Sequence, residues 1–396
     1  LQPGFAWIIL NAASRNYGVF WSSKHIAGRQ RQTVATVQGF LHLLGGWLMT
    51  NRTRFVSVGL AIALSIPVAA SQAPVAPAAP DQTDARILPA TAGAYADFQG
   101  HVTEVMSKEL GSVAELNRHV QTFGSVNINQ LSSGWIAYGA ILAAQNPEFA
   151  RDVREADADY GRERTMAYFT GSPSWARSFD GADQALQAAL TVNARETARI
   201  SSAGAFMDRQ AFAIQSQKWG KARALDPQKT YASLRKASEE ERPVSAAIQQ
   251  AFSAPDLNVV LASLAASPAT AQSIWDKVAV LTASAPASAF QTISPVIPAE
   301  RQLEISPAYE GTANRILTLA AQHIIAAEQT HPDAMKASLA DPTSRDCLAD
   351  AKQLFFGCIS AATHNDALTG CLAKHGLQIP REKTRSTGLC LSEIAR

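Results

Sequence analysis

Not one Asp or Glu occurs between Leu1 and Ser71, although Lys24, Arg15, Arg29, Arg31, Arg52 and Arg54 all lie there. A segment with basic and apolar residues but no acid matches the retained side of an export signal. The first methionine is Met49. Behind it come Arg52 and Arg54, an apolar run from Phe55 to Ala69, and the small residues Val68-Ala69-Ala70-Ser71 that a signal peptidase accepts. The run is about 15 residues, short of the roughly 20 that span a bilayer as a helix, and Pro67 closes it. No cysteine lies near the cleavage region, which excludes a lipid-modified N-terminus. The expectation is a cleaved signal peptide over 49–71 and no stable membrane span afterwards.

Residues 1–48 have no place before a signal peptide. They hold Trp7, Trp21 and Trp47, three of the seven Trp, and their composition differs from the rest. They are expected to be an upstream extension absent from the natural protein. The stretch Phe40 to Trp47, broken by Gly45-Gly46, is too short to cross a membrane. Six of the 35 Lys and Arg and none of the 33 Asp and Glu precede Gln72, so the remainder carries 29 basic against 33 acidic side chains, a net charge of −4. A slightly acidic protein is not built to collect phosphate backbones, and nucleic acid is not an expected partner.

Other absences narrow the chemistry. There is no G-x-S-x-G, H-E-x-x-H, P-loop or dinucleotide fingerprint, no C-x-x-C for thiol exchange and no C-x-x-C-H for haem. No fixed-period repeat occurs, and no alternation of period two is long enough for a sheet. No cofactor or metal is called for.

What is present reads as helix. Gln72–Thr91 is a Pro/Ala-rich spacer with no apolar face to bury. From Ala92 the period becomes helical. Phe98, Val102, Val105 and Met106 mark a first face, which Gly111 is expected to close in a left-handed conformation. Ser112 and Glu115 form a capping box before Val113, Leu116, Val120 and Phe123, with Gly124 as the stop. Leu131, Trp135, Tyr138 and Leu142 line a third helix, and Asn146-Pro147 ends it and starts a fourth with Phe149 and Val153. From Ala182 to Trp219 there is no proline. Leu186, Leu190, Thr197, Ile200, Gly204, Met207, Ala211 and Ile214 keep helical spacing, so one central helix of about ten turns is expected, with Asn193 and Thr197 making its stripe too polar for a dry coiled-coil seam. Asp226-Pro227, Ser267-Pro268 and Ser306-Pro307 open three more helices. Ile274, Val278 and Leu281 line the second of these, and Ile316, Ala320, Ile324 and Ala327 the third. Ala285–Ser306 reads as a long surface loop, a boundary or a lid.

The fold class expected is all-α: a multi-helix bundle or array with one long central helix over 92–340, and a C-terminal disulfide-braced helical hairpin over 341–396. All four cysteines, Cys347, Cys358, Cys371 and Cys390, fall in that last part. In an oxidising compartment an even set is bridged. Cys347 and Cys358 lie about three helical turns apart and so share a face. Spacing leaves three pairings open, of which the nested set Cys358–Cys371 and Cys347–Cys390 best suits a stapled hairpin.

Several constellations suggest chemistry. Cys358, His364, Cys371 and His375 offer zinc ligands in a spacing that matches no zinc pattern. His323, Glu328 and His331 contain a single Glu-x-x-His, half of a di-iron arrangement. Ser233 and Lys236 have S-x-x-K spacing without its companion motifs. Asp97, Glu104, Glu109 and Glu115 cluster on the solvent stripe of the first two helices, and Trp135 with Tyr138 offers a groove lining, although Trp and Tyr at helical spacing are more often core residues. The catalytic residues are unknown. The functional expectation is an exported, periplasmic or secreted, non-enzymatic binding or envelope-assembly protein whose partner is a protein or a cell-envelope component. The alternative is a cell-envelope hydrolase using carboxylates in a helical groove. A buried carboxylate without a partner would favour the hydrolase, and an apolar patch the binder.

Overall fold

Short oxygen-bearing side chains decide where the helices begin. Ser112, Asn127, Asn146, Asp226 and Asp341 each accept the backbone N–H three residues ahead, from Glu115, Gln130, Phe149, Lys229 and Ser344. Each bond satisfies one of the four orphan donors of a helix N-terminus. The computed structural model describes residues 87–254, 256–267, 304–377 and 386–392. All lie within one compact unit, Val75–Arg396. The segments read as an upstream extension (1–48) and a signal peptide (49–71), most of the expected spacer, the helix expected after Ser267-Pro268 and nearly all of the expected Ala285–Ser306 loop fall outside the described residues.

The described helices are α1 (Ile87–Met106), α2 (Val113–Gly124), α3 (Ile128–Ala143), α4 (Pro147–Tyr160), α5 (Arg162–Gly171), α6 (Ala182–Ile214), α7 (Pro227–Glu239), α8 (Ala246–Ser253), α9 (Leu257–Ala266), α10 (Glu310–Ile324), α11 (Pro332–Leu339), α12 (Pro342–Ala361), α13 (Asn365–Cys371) and α14 (Thr387–Ser392). The protein is all-α. Among the described residues strand-like pairing is confined to isolated bridges such as Arg223–His364, and no helix is long and apolar enough to cross a membrane.

The 33-residue α6 is the axis of the array. Helices α1, α3 and α9, the hairpin helix α13 and α14 all pack on it. Helix α3 lies between α1 and α10, and Leu131, Trp135, Tyr138 and Leu142 are all buried in it. Gly134 makes the α1–α3 contact possible, because a Cβ there would stand 2.7 Å from the Tyr95 backbone nitrogen and 2.9 Å from the Thr91 carbonyl oxygen. Helix interiors are packed as densely as crystals, so a methyl group has nowhere to go.

Four local expectations change. Helix α1 begins at Ile87, inside the stretch read as spacer. Pro89 falls in its first turn, where a missing N–H costs nothing, and the Glu328 carboxylate accepts the Ile87 N–H at 3.1 Å. Gly111 does not adopt a left-handed conformation. Its N–H is held by Glu115 Oε2 at 3.0 Å, so a side chain satisfies the turn instead. Helix α6 ends at Ile214 rather than Trp219. The chain folds back there, with Gln217 N–H on the Ile214 carbonyl and Gly220 so close that a Cβ would lie 2.0 Å from the same oxygen. After Ser306 a 3-10 turn, Pro307–Tyr309, precedes α10, which stops at Ile324. Ala326 then takes a left-handed φ of 55°, and Ala327 sits in a second 3-10 turn.

The four cysteines form the nested pairs Cys347–Cys390 and Cys358–Cys371, with Cα atoms 5.6 Å apart in each. The second closes the α12–α13 hairpin and the first ties α14 to α12. A π-helical turn, Leu372–Leu377, follows Cys371 rather than a continued α-helix.

Candidate functional site

The residues singled out by spacing separate into several environments. Cys358 and Cys371 are bonded to each other, so they cannot serve with His364 and His375 as thiolate ligands. His323 and Glu328 do meet, Nδ1 to Oε1 at 2.6 Å, but His331 turns away to Glu163 at 3.2 Å. Glu328 is buried, and its other oxygen caps α1, so the pair fastens a helix start to the end of α10. Ser233 and Lys236 are both exposed on α7. Trp135 and Tyr138 line no groove: both are fully buried core residues.

Glu104, Arg118, His101 and Asp97 form a surface network between α1 and α2, and Lys108 pairs with Glu115. The His101 ring 3.8 Å away, outweighing partial burial and helped by Arg118, holds the Glu104 carboxyl down to about 2.

Spacing did not single out a charged group inside the core. Arg195, Glu196 and Arg199 on α6 are 3 %, 0 % and 3 % exposed. Arg195 Nη2 donates to Glu196 Oε1 at 3.3 Å, Arg199 Nε lies 3.9 Å from Glu196 Oε2, and Arg199 Nη2 donates to Thr103 at 2.7 Å. Gln99 of α1 donates to the Tyr95 hydroxyl at 2.8 Å and to the Glu196 carbonyl at 3.3 Å. Burial, then the charge of Glu196, pushes the phenols of Tyr95 and Tyr138 above their usual range, so both remain neutral. Arg and Glu are rarely buried unless paired. The one available sequence signal was the polar break that Asn193 and Thr197 make in the α6 stripe, beside these charges.

Lys352 on α12 is a second buried charge. Its Nζ donates to the carbonyls of Val126 (2.9 Å) and Phe123 (3.3 Å), at the C-terminus of α2, and lies 5.2 Å from the Phe356 ring centre. Desolvation, reinforced by Arg242, brings it down to about 7. The adjoining cavity, between Phe98, Phe123 and Phe355, is about 20 Å³, room for a single water and no substrate.

Two outer features are open to a partner. Tyr160 at the end of α4, Tyr168 of α5 and Trp175 of the 3-10 turn Pro173–Ser178 form a triangle of rings with centroids 5.0 to 6.3 Å apart. Tyr160 is 50 % and Tyr168 42 % exposed. Behind them Phe169, Phe179 and Phe149 continue the cluster into the core, and Thr318 of α10 donates to the Pro173 carbonyl at 2.9 Å, which pins the turn. The other feature is a groove of about 570 Å³ between the C-terminal half of α6 and the disulfide hairpin, with Phe212, 78 % exposed, at its edge.

Comparison of the chain with protein-family models, with curated proteins and with solved structures finds no match.

Proposed function

We propose that this is an exported, non-enzymatic binding protein of the bacterial cell envelope, which grips a protein or other envelope component through the Tyr160–Tyr168–Trp175 surface. The ring triangle carries the reading. Tyr and Trp bring large contact area at low entropic cost and dominate protein interfaces, and Trp175, on which Tyr160 and Tyr168 pack, is held from behind by buried Phe169 and Phe179. Export is supported by the Met49–Ser71 segment and by the use of all four cysteines in two disulfides.

The hydrolase alternative needs a carboxylate to spare. The three buried ones among the described residues are engaged: Glu196 by Arg195 and Arg199, Glu328 by His323 and the Ile87 N–H, and Asp341 by Thr312 and the Ser344 N–H.

Co-sedimentation with envelope fragments tests the proposal. The protein is expected to pellet with them, and the Tyr160→Ser/Tyr168→Ser double variant, with an unchanged thermal melt, is expected to lose at least tenfold in affinity. A wild type that stays in the supernatant, or a double variant that pellets equally well, refutes it.

A further inference from the structure

The two disulfides differ in access. In Cys347–Cys390 the half-cystines are 6 % and 0 % exposed, whereas Cys358 is partly exposed beside a 3 % exposed Cys371. Both Cys358 and Cys371 line the 570 Å³ groove, along with Asp208, Phe212, Gln215 and Lys374. Thiol–disulfide exchange requires a thiolate to reach one sulfur along the line of the S–S bond, so access governs which bridge reacts.

We infer that Cys358–Cys371 is an exchange site that accepts two electrons from an external dithiol, while Cys347–Cys390 remains closed. A thiolate entering the groove attacks Cys358 Sγ, which belongs to the more exposed half-cystine. The S–S bond breaks and Cys371 Sγ leaves as a thiolate. The second thiolate of the reductant then attacks the mixed disulfide and releases Cys358. The dithiol ends as a disulfide, and Cys358 and Cys371 each take up one proton. Lys374 favours the departing thiolate, while Asp208 and Asp366, on the same groove, oppose it, so access and not charge selects this bridge.

The surrounding structure lets the bond open without unfolding the hairpin. The connector between α12 and α13 is clamped to residues 219–224 by Ala224 N–H on the Thr363 carbonyl (3.0 Å), Asn365 N–H on Ala222 (3.2 Å), Asp366 N–H on Gly220 (3.1 Å) and Asn365 Nδ2 on Trp219 (2.7 Å). Cys347–Cys390 holds the other end of α12. Reduction therefore frees one wall of the groove and leaves its frame in place.

The test treats the native full chain with dithiothreitol under graded conditions, quenches by alkylation and maps the labelled cysteines by peptide mass. Cys358 and Cys371 are expected to label at least tenfold faster than Cys347 and Cys390, with the far-ultraviolet circular dichroism unchanged. In a parallel arm a monothiol is expected to be trapped on Cys358. Equal labelling of all four, prior labelling of Cys347 and Cys390, labelling only in denaturant, or an adduct confined to Cys371 would overturn the inference.

Discussion

Two groups of charges hold this helical array together, and they obey different rules. On the surface, Glu104, Arg118, His101 and Asp97 span α1 and α2 with side chains 29 to 49 % exposed. In the core, Arg195, Glu196 and Arg199 make the same kind of contact at 4 % exposure or less. Water competes for every bond in the first group and screens it, so its members are nearly independent of the fold. The second has surrendered its hydration, and each charge depends on the others. Contact lists alone would rank the two alike. Burial separates them.

The comparison breaks most sharply at Glu196. Glu196→Gln keeps the shape but removes the negative charge between two buried guanidiniums, and about 3–5 kcal/mol of unfolding free energy is expected to be lost in urea denaturation. A loss under 1 kcal/mol would mean that the core group behaves like the surface one.

Lys352 sharpens the contrast, being a buried cation on carbonyl oxygens rather than on a carboxylate. Its folded value near 7 lies below the ordinary 10.5. Between those two values the unfolded chain holds more protons than the folded one, so stability contributed by this group rises with pH from about 7 and levels off near 10.5. Lys352→Met is expected to remove most of that rise, read as the difference between variant and wild type in melts from pH 6 to 10.

Capping provides the intermediate scale. Asn146→Ala removes the bond to the Phe149 N–H at the start of α4 and is expected to cost about 1 kcal/mol in the same denaturation.

The smallest effect belongs to the surface network. Glu104 is held near 2, below its ordinary 4.5, so its contribution is complete above about pH 4.5 and is lost as the pH falls toward 2. Because its side chain is 38 % exposed, Glu104→Gln is expected to change stability at pH 7 by under about 1 kcal/mol, and sensitivity to salt should disappear with it.

The legible parts of this protein were those governed by neighbours in sequence. Ser112, Asn146 and Asp226 act within one helical turn, so a cap can be read from a few letters, and these three caps lie where oxygen-bearing residues precede a helical period. The α6 stripe needed only spacing: Leu186, Leu190, Ile200, Met207 and Ile214 are all buried. The aromatic triangle escaped notice because Tyr160, Tyr168 and Trp175 come from three elements that meet only after α5 turns back on α4. Trp135 keeps helical spacing with Leu131 and Leu142, which marks it as core, and its place between α1 and α10 puts it there. Gly111 followed a rule for helix ends that the nearby Glu115 side chain superseded.

By itself, then, the order of residues determined an all-helical chain with a long middle helix and an even set of cysteines gathered at one end. Those features follow from 3.6-residue periodicity, local capping and composition, none of which needs a distant contact. Tertiary packing decided which charges lost their water, which disulfide came to face a groove, and which rings reached the surface. Those outcomes depend on the desolvation of groups brought together from as far apart as Thr103 and Arg199, or Val126 and Lys352, a distance over which sequence carries no record of proximity.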